Sequence, residues 1–507
     1  MPPATFWSRY GWLCAIAAAY LYLFPYYPKL QSANELPRVY LVKAMVEDHT
    51  FAIDRGVATW GGTSDLSRYG GHYYQNKAPG ASLVAAPVYA LVRLAGEPSL
   101  ATTMWLCRMV TGVVPSLWLL WLLYGYLARF APDPATRKLV LIAYAVGSMA
   151  FTYALQFYAH QLSAVCIAAA WILGDGVAGR TRASPTMIAV GFLAALAPAA
   201  DYQTVFAIVP LAGYLVVRMR AWPRREVARA FALAGLGAVV PSAILLYYHA
   251  ACFGSPFATG YNYAVTYAAD HVHGLLGMTY PKWDAMVGST VAPSNGLIAL
   301  APWWLLAIPG GVYLWKVGER ALVITVAVLT LIFFYFVTSL TAWHAGWEVG
   351  PRYIVALQPF LLPLIAAAFA RWRDDWRRVA AGSGLVLIGI VIYTVSTATL
   401  PTWPDTFANP LYEIAFRLLG DHAIAPNALS MLGLGLGVGS AVLLFVGIAT
   451  LAGVAIVRAG AGWRGLAVAA AICVAGIAAF ALVQPTATQR EATRAAYART
   501  LYPAVAR

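Results

Sequence analysis

Long apolar runs alternate with short polar stretches along most of the chain, and the runs have the length of membrane spans. Residues 379–400 and 466–483 are two of them, and residues 10–26 form the first strong one. About 20 consecutive apolar residues cross a hydrocarbon core as a helix. The short alternating segments that a transmembrane barrel needs do not recur. The pattern predicts an all-α polytopic membrane protein. One interval breaks the rhythm: residues 27–100, directly after the first run, carry a dense mixture of carboxylates, cations and tyrosines between residues 32 and 80. A simple connection between two spans needs no such inventory, so this interval is expected to form the main wall of a functional site.

Sidedness follows from the cations. Basic loops occur at residues 129–138, 180–182, 218–229, 316–320, 371–378 and 458–464, separated by pairs of apolar runs. Lys and Arg gather in cytoplasmic loops. The polar turns at His160, Asp201 and residues 252–295, 338–352 and 401–427 then face outward. This parity holds only if residues 81–94 do not span. That run is short, contains Arg93 and is followed by Glu97, and runs of 10–14 apolar residues are more often interfacial than spanning. It is expected to be a juxtamembrane helix inside the first outward loop (27–100). The expectation is about 13 transmembrane helices, counted by the positive-inside rule, with the N-terminus inside and the C-terminus outside. Residues 1–483 would form one transmembrane domain with a large outward loop at 249–295, and residues 484–507 an extracytoplasmic, amphipathic basic tail. The protein is expected in the inner (cytoplasmic) membrane, its active face toward the periplasm or exterior.

Composition agrees. The chain of 507 residues is 61% hydrophobic and 11% charged, against about 25% charged for soluble proteins, and its mean hydropathy is +0.68. The net charge of +14 resides in the short loops, which explains it without nucleic acid. Cys14, Cys107, Cys166, Cys252 and Cys473 show no paired spacing, so neither a disulfide framework nor a metal knuckle is expected. The first run lacks a small-residue cleavage site and reads as a retained span. No internal repeat argues for a transporter of duplicated halves. The glycine-rich run at residues 432–440 reads as close helix packing within an apolar span.

Several outward residues carry candidate chemistry. Glu35 has Arg38 three positions on, the same face of a helix. The pair is either an interfacial salt bridge or a carboxylate base beside a lipid-facing cleft. Asp201 interrupts an apolar stretch, where a carboxylate is costly and has a partner or a role, helix capping included. His160 sits at an equivalent outward end, between Tyr158 and Gln161. Lys77 is either a snorkelling lysine or a phosphate ligand. Arg352, at the mouth of a span, can grip a phosphate bidentately, and Arg55 and Arg68 are further cationic candidates. Arg38, Tyr73, Tyr74, His160, Tyr261 and Tyr353 are the candidate substrate contacts, although aromatics gather at membrane interfaces regardless of function. His271 and His273 have metal-pair spacing without a carboxylate–His arrangement to complete a site. No metal is indicated, though outward carboxylates could hold a divalent ion.

The first loop resembles that of GT-C-fold glycosyltransferases, the class holding protein O-mannosyltransferases and the lipid A aminoarabinose transferase. Members carry a short acidic motif after the first span, D-E-x-R in the aminoarabinose enzyme. Some forty residues on they carry a basic or His residue followed by prolines. The counterparts here are Glu35-Leu36-Pro37-Arg38 and Asn76-Lys77-Ala78-Pro79-Gly80. Aligning on Arg38 puts Glu35 at the catalytic Asp; aligning Asn34-Glu35 with D-E puts Asn34 there, which cannot accept a proton. Phe253-Gly254-Ser255-Pro256 with Gly260-Tyr261, Pro293-Ser294-Asn295-Gly296 before Ala301-Pro302-Trp303, and the stretch from Gly346 to Tyr353 also look like elements of bacterial members. The similarity runs in order over residues 10–369.

The resemblance implies a membrane glycosyltransferase that moves a sugar from a polyprenyl-phosphate donor to a hydroxyl of a cell-envelope glycan, lipid or protein, with inversion. Glu35 would activate the acceptor, with Asp201 the competing carboxylate. Lys77 and Arg352 would stabilise the departing phosphate, with Arg55 and Arg68 in reserve. The lipid-linked sugar is substrate, and no cofactor is called for. The partners are donor, acceptor and membrane lipids. No cytoplasmic segment is long enough for a nucleotide-binding domain. The rival class is a transporter or flippase of lipid-linked or anionic substrates, which would bury charges deep within spans; here the acids cluster at outward ends. An O-antigen ligase or polymerase shares the architecture but lacks the acidic motif. The topology makes one prediction: cysteines introduced at Ser64 and Ser99 both react with an impermeant thiol reagent from outside. Labelling of Ser99→Cys only after permeabilisation would invert every loop beyond it.

Overall fold

The computed structural model of the chain describes residues 6–506 apart from positions 31, 272, 273, 436 and 484. Helices dominate because a chain in hydrocarbon must satisfy its peptide groups internally. Among the described residues, seven helices are long and apolar enough to cross a membrane: Leu100–Arg129, Ala159–Ala178, Arg224–Phe253, Arg320–Ser339, Arg352–Trp372, Trp376–Thr399 and Val438–Phe480. The last is broken at Gly460 and Gly462, with φ of 115° and 63°, into two helices that both pack on Trp376–Thr399. Phe6–Tyr22, Thr186–Ala200 and Tyr202–Arg218 are shorter apolar helices beside them. The fold is an integral-membrane helical bundle; counting the break as a turn and the three shorter helices as crossing gives 11 spans, and 13 is reached only if Pro134–Val146 and Ala307–Lys316 cross as well.

Burial sorts the helices into layers. Ala159–Ala178 and Arg352–Trp372 are 89% buried over their most apolar window, so they form the centre, whereas Arg224–Phe253 is 17% buried and turns its apolar surface outward. The central helix is anchored near its C-terminal end by Asp175. That carboxylate accepts from Arg129 (2.8 Å), Arg218 (2.8 Å), Tyr126 (3.0 Å) and Tyr214 (3.0 Å), drawn from two neighbouring helical segments. Arg129 also reaches Glu319 at 2.5 Å.

The first polar stretch, residues 27–100, is built of short elements. Helix Glu35–Lys43 runs on into a wider turn, Ala44–Asp48; helix Asp54–Trp60, a two-stranded hairpin and helix Gly80–Arg93 follow. The last of these occupies the run expected to be juxtamembrane. Glu47 knits the group together: its side chain is 2% exposed and meets Lys43 (2.8 Å), Arg55 (3.4 Å), Arg93 (3.4 Å) and the Tyr89 hydroxyl. One expectation needs correction. The glycine-rich run is not wholly inside a span: positions 432–435 and 437 precede the helix that begins at Val438, with Gly433 and Gly437 at positive φ. The C-terminal tail docks on protein. Helix Ala487–Ala496, capped by Thr486, is tied through Thr493 to Glu413 (3.1 Å) and continues to Tyr497, which bonds Asp421 and lies under Arg417, 3.9 Å from ring centroid to guanidinium.

Asp175→Asn should lower the thermal unfolding midpoint in detergent, because it removes the anion facing two guanidiniums. Breaking a buried pair costs about 3–5 kcal/mol. The lower end is expected, since Arg129 and Arg218 are 29% and 30% exposed. An unchanged midpoint would show that the cluster holds nothing together.

Candidate active site

The site begins with a hairpin. Leu66–Tyr69 and His72–Gln75 pair antiparallel around Gly70-Gly71, whose φ of 59° and 90° suit the tight turns that match strand twist. The hairpin fastens the first loop to the large outward loop: Ser67 donates to the Gly260 carbonyl at 2.6 Å and the Val265 N–H to Leu66 at 2.9 Å. A Cβ on Gly260 would lie 2.6 Å from the Asn76 Cα, so glycine permits this approach. The result sets Lys77 over the ring of Tyr261, 5.1 Å from its centroid. Gly80 similarly lets the following helix meet the Ala199 carbonyl, which a Cβ would approach to 2.5 Å, just before Asp201.

These loops and residues 342–353 enclose a cavity of about 440 Å³. Asn34, Asp65, Lys77, Tyr158, Asp270, His271, His344, Arg352, Tyr353 and Asp405 line it. Lys77 Nζ is 3.3 Å from Asp65 Oδ1. Burial pushes the Lys77 pKa down, and Arg352 and Arg38 add to this against the pull of Asp65. Burial works upward on Asp65, but Lys77 and Arg352 outweigh it and hold its carboxyl below the usual range. Arg352 lies against Tyr158 and Tyr353, 5.5 and 5.6 Å from their centroids, with Glu348 at 3.4 Å.

The expected Glu35–Arg38 pair does not form. Glu35 takes a bidentate salt bridge from Arg108 (2.9 and 2.8 Å) and the Phe157 N–H, facing a much smaller adjoining cavity. Arg38 donates instead to the Asn34 side chain and the Ala78 carbonyl, both at 3.1 Å. Local helical spacing suggested the wrong partner because the competing cation lies on another helix, where both charges are buried. Of the two alignments, Asn34 is the residue that lines the large cavity. Asp201 is bonded to His160 Nδ1 (2.5 Å) and Gln203 (2.6 Å), and His160 in turn meets Tyr353 edge-on.

Other candidates disperse. Arg55 is 55% exposed and pairs with Asp48 at 2.7 Å. Arg68 lies over Tyr73, and Tyr74 packs on Phe253, so all three serve the hairpin. Tyr261 stacks on His271 (4.2 Å) and lines a small neighbouring cavity. His273 lies outside the described residues. Among the described residues no group of three or more His, Cys, Asp or Glu could hold a metal. Sequence reasoning overlooked Arg108, Asp65, Glu348, His344 and Asp405. Arg108 alone left a signal, an arginine inside an apolar run, which calls for a partner.

The polytopic helical bundle has the GT-C fold. The solved structure of ArnT from Cupriavidus metallidurans bound to undecaprenyl phosphate is similar, with a TM-score of 0.52 at 16% identity over 96% of this chain and 79% of that one. The apo state of the same protein aligns at 0.49, with 14% identity, over 91% and 75%. No protein-family model and no curated protein matches the sequence. The likeness is one of fold.

Glu348 yields a pH prediction. Its carboxyl is buried, accepts from Asn295 at 2.9 Å and is pushed from 4.5 up to about 8, by burial first, with Asp405 adding and Arg352 opposing. A raised acid pKa means the native state binds more protons than the unfolded chain between the two values, so this contribution to stability is full below about 4.5 and fades as pH rises toward 8. Glu348→Gln, which keeps the neutral form, should flatten the fall in unfolding midpoint between pH 5 and 8. Identical slopes in wild type and variant would refute it.

Proposed function

We propose that the protein is an inverting glycosyltransferase of the inner membrane that moves a sugar from a polyprenyl-phosphate donor to a hydroxyl of an envelope glycan, lipid or protein on the periplasmic or outer face. One observation carries this reading: Lys77 and Arg352, far apart in sequence, converge on one cavity. Two cations there stabilise the phosphate as it departs with the bonding electrons. A phosphate is already a good leaving group, so no acid need protonate it. Asp65 steadies the ammonium, and Tyr158 and Tyr353 flank the guanidinium. That ArnT of the same fold binds undecaprenyl phosphate supports a lipid phosphate as ligand. The reaction so written uses no cofactor.

The expected bases fare differently. Neither Glu35 nor Asp201 is among the residues lining the larger cavity; both Glu35 oxygens are engaged by Arg108, and one Asp201 oxygen by His160 and Gln203, which favours a base elsewhere on the cavity wall. The transporter reading gains little from Arg108, because a buried charge fully matched by Glu35 is structural rather than a carrier site.

Purified protein incubated with radiolabelled undecaprenyl-phosphate sugars and a membrane extract should transfer label to an extract component. Lys77→Ala and Arg352→Ala should each lower kcat/KM by roughly 10- to 150-fold, the worth of a charge-assisted contact of about 1.5–3 kcal/mol. Folded variants with wild-type kcat/KM would remove the phosphate assignment.

A further inference from the structure

A second cavity of about 250 Å³ adjoins the first, and His344, Gly346 and Asp405 line both. His344 Nδ1 is 3.6 Å from Asp405 Oδ2, an ion-pair contact longer than a hydrogen bond, and the imidazole meets the Trp343 ring at 5.4 Å and 65°. Trp343 is itself held by a hydrogen bond from its Nε1 to Asp284 (3.2 Å). The side chain of His344 is 45% exposed, open to a reactant. Ala345 and Gly346 follow it in the left-handed region, at φ 57° and 81°. A non-glycine residue there is strained, as at sites where the surroundings dictate the backbone.

We propose that His344, oriented by Asp405, takes the proton of the incoming hydroxyl, and that the second cavity seats a sugar-like acceptor. This rests on the glycosyl-transfer reading above. The second cavity has the chemistry of a polyol site: Trp343 and Trp403 supply aromatic surface, and Asn295 and Trp403 are buried residues lining it. Asn295 Oδ1 and Trp403 Nε1, one acceptor and one donor, find no hydrogen-bond partner among the described residues. The dyad stands between this seat and the cavity that holds Lys77 and Arg352.

The step balances without further reactants. With Nδ1 on the Asp405 side, 3.6 Å away, Nε2 is the nitrogen whose lone pair is offered to the acceptor. The acceptor oxygen attacks the anomeric carbon from the second cavity, and its proton passes to Nε2. The bond from that carbon to the phosphate oxygen breaks, its electron pair leaving with the polyprenyl phosphate. The imidazolium then releases its proton to water. Asp65, another carboxylate on the cavity wall, is already engaged by Lys77 at 3.3 Å.

The test is single-turnover transfer from the radiolabelled undecaprenyl-phosphate sugar that the wild type uses, with membrane extract as acceptor. His344→Ala should lose roughly 10²- to 10⁴-fold in rate, the usual contribution of a general base. It should bind undecaprenyl phosphate as the wild type does and regain rate with added imidazole. His344→Gln, which keeps size and polarity, should be equally slow, so that loss cannot be laid to misfolding. Transfer by both variants within about threefold of wild type overturns the dyad and leaves glycosyl transfer standing. Loss without imidazole rescue overturns it too, as a structural role. A wild type that moves no sugar from any donor in the panel removes both readings.

Discussion

The salt bridge between Glu35 and Arg108 fixes the relation on which the site depends. It joins the first helix of the outward loop to the span Leu100–Arg129, and Phe157, just before the central helix, adds its N–H to the same carboxylate. Arg–carboxylate forks constrain direction as well as distance. Here the fork sets the rotation of helix Glu35–Lys43 and hence the side from which Asn34 reaches the cavity and Arg38 the Ala78 carbonyl. Each charge is 5% exposed or less, so neither is tolerable without the other. The same rule recurs at Asp65 with Lys77, at Asp201 with His160 and at Glu47 with its cations. Every one of these pairs bridges residues a helical-spacing rule would not pair, save Lys43–Glu47.

How much of this was legible depends on the range of the interaction concerned. Apolar run length depends on the bilayer alone, so the helical membrane fold and the unusual first loop could be read directly, and the resemblance to GT-C enzymes agrees with the fold found. Partner choice was not legible. Arg38 is near Glu35 in sequence, but Arg108 satisfies it from 73 residues away. Arg55, Arg68, Tyr73 and Tyr74 share the polar loop with Lys77, yet none of them lines the large cavity: Arg55 sits on helix Asp54–Trp60 beside Asp48, and the other three serve the hairpin. Its Gly70-Gly71 turn was visible in the sequence, but strands of four residues carry too little alternation to be noticed beside helical signals. His344 and Asp405, in separate outward turns, read individually as interfacial residues; only tertiary packing makes them neighbours.

The two walls of the large cavity differ in construction. The first-loop wall is tied down by hairpin bonds to the large outward loop and by the ion cluster around Glu47. The opposite wall, residues 342–347, is a turn with consecutive left-handed residues. Lys77 and Arg352 therefore stand chiefly on well-braced backbone, a helix entrance for Arg352 and the hairpin's exit for Lys77. The His344 segment meets them from a turn of a different kind.

The central helix Ala159–Ala178 is bolted near both ends, by His160 to Asp201 and by Asp175 to Arg129 and Arg218. Fifteen residues of helix separate those bolts, about 22 Å at 1.5 Å per residue. The helix thus acts as a strut of fixed length between the two faces of the molecule. A thicker or thinner bilayer cannot stretch, slide or tilt it relative to its neighbours without breaking charge pairs. Adaptation to lipid thickness must then come from the sparsely buried perimeter, above all Arg224–Phe253. The height of the cavity above the opposite face is a property of the protein rather than of the membrane that surrounds it.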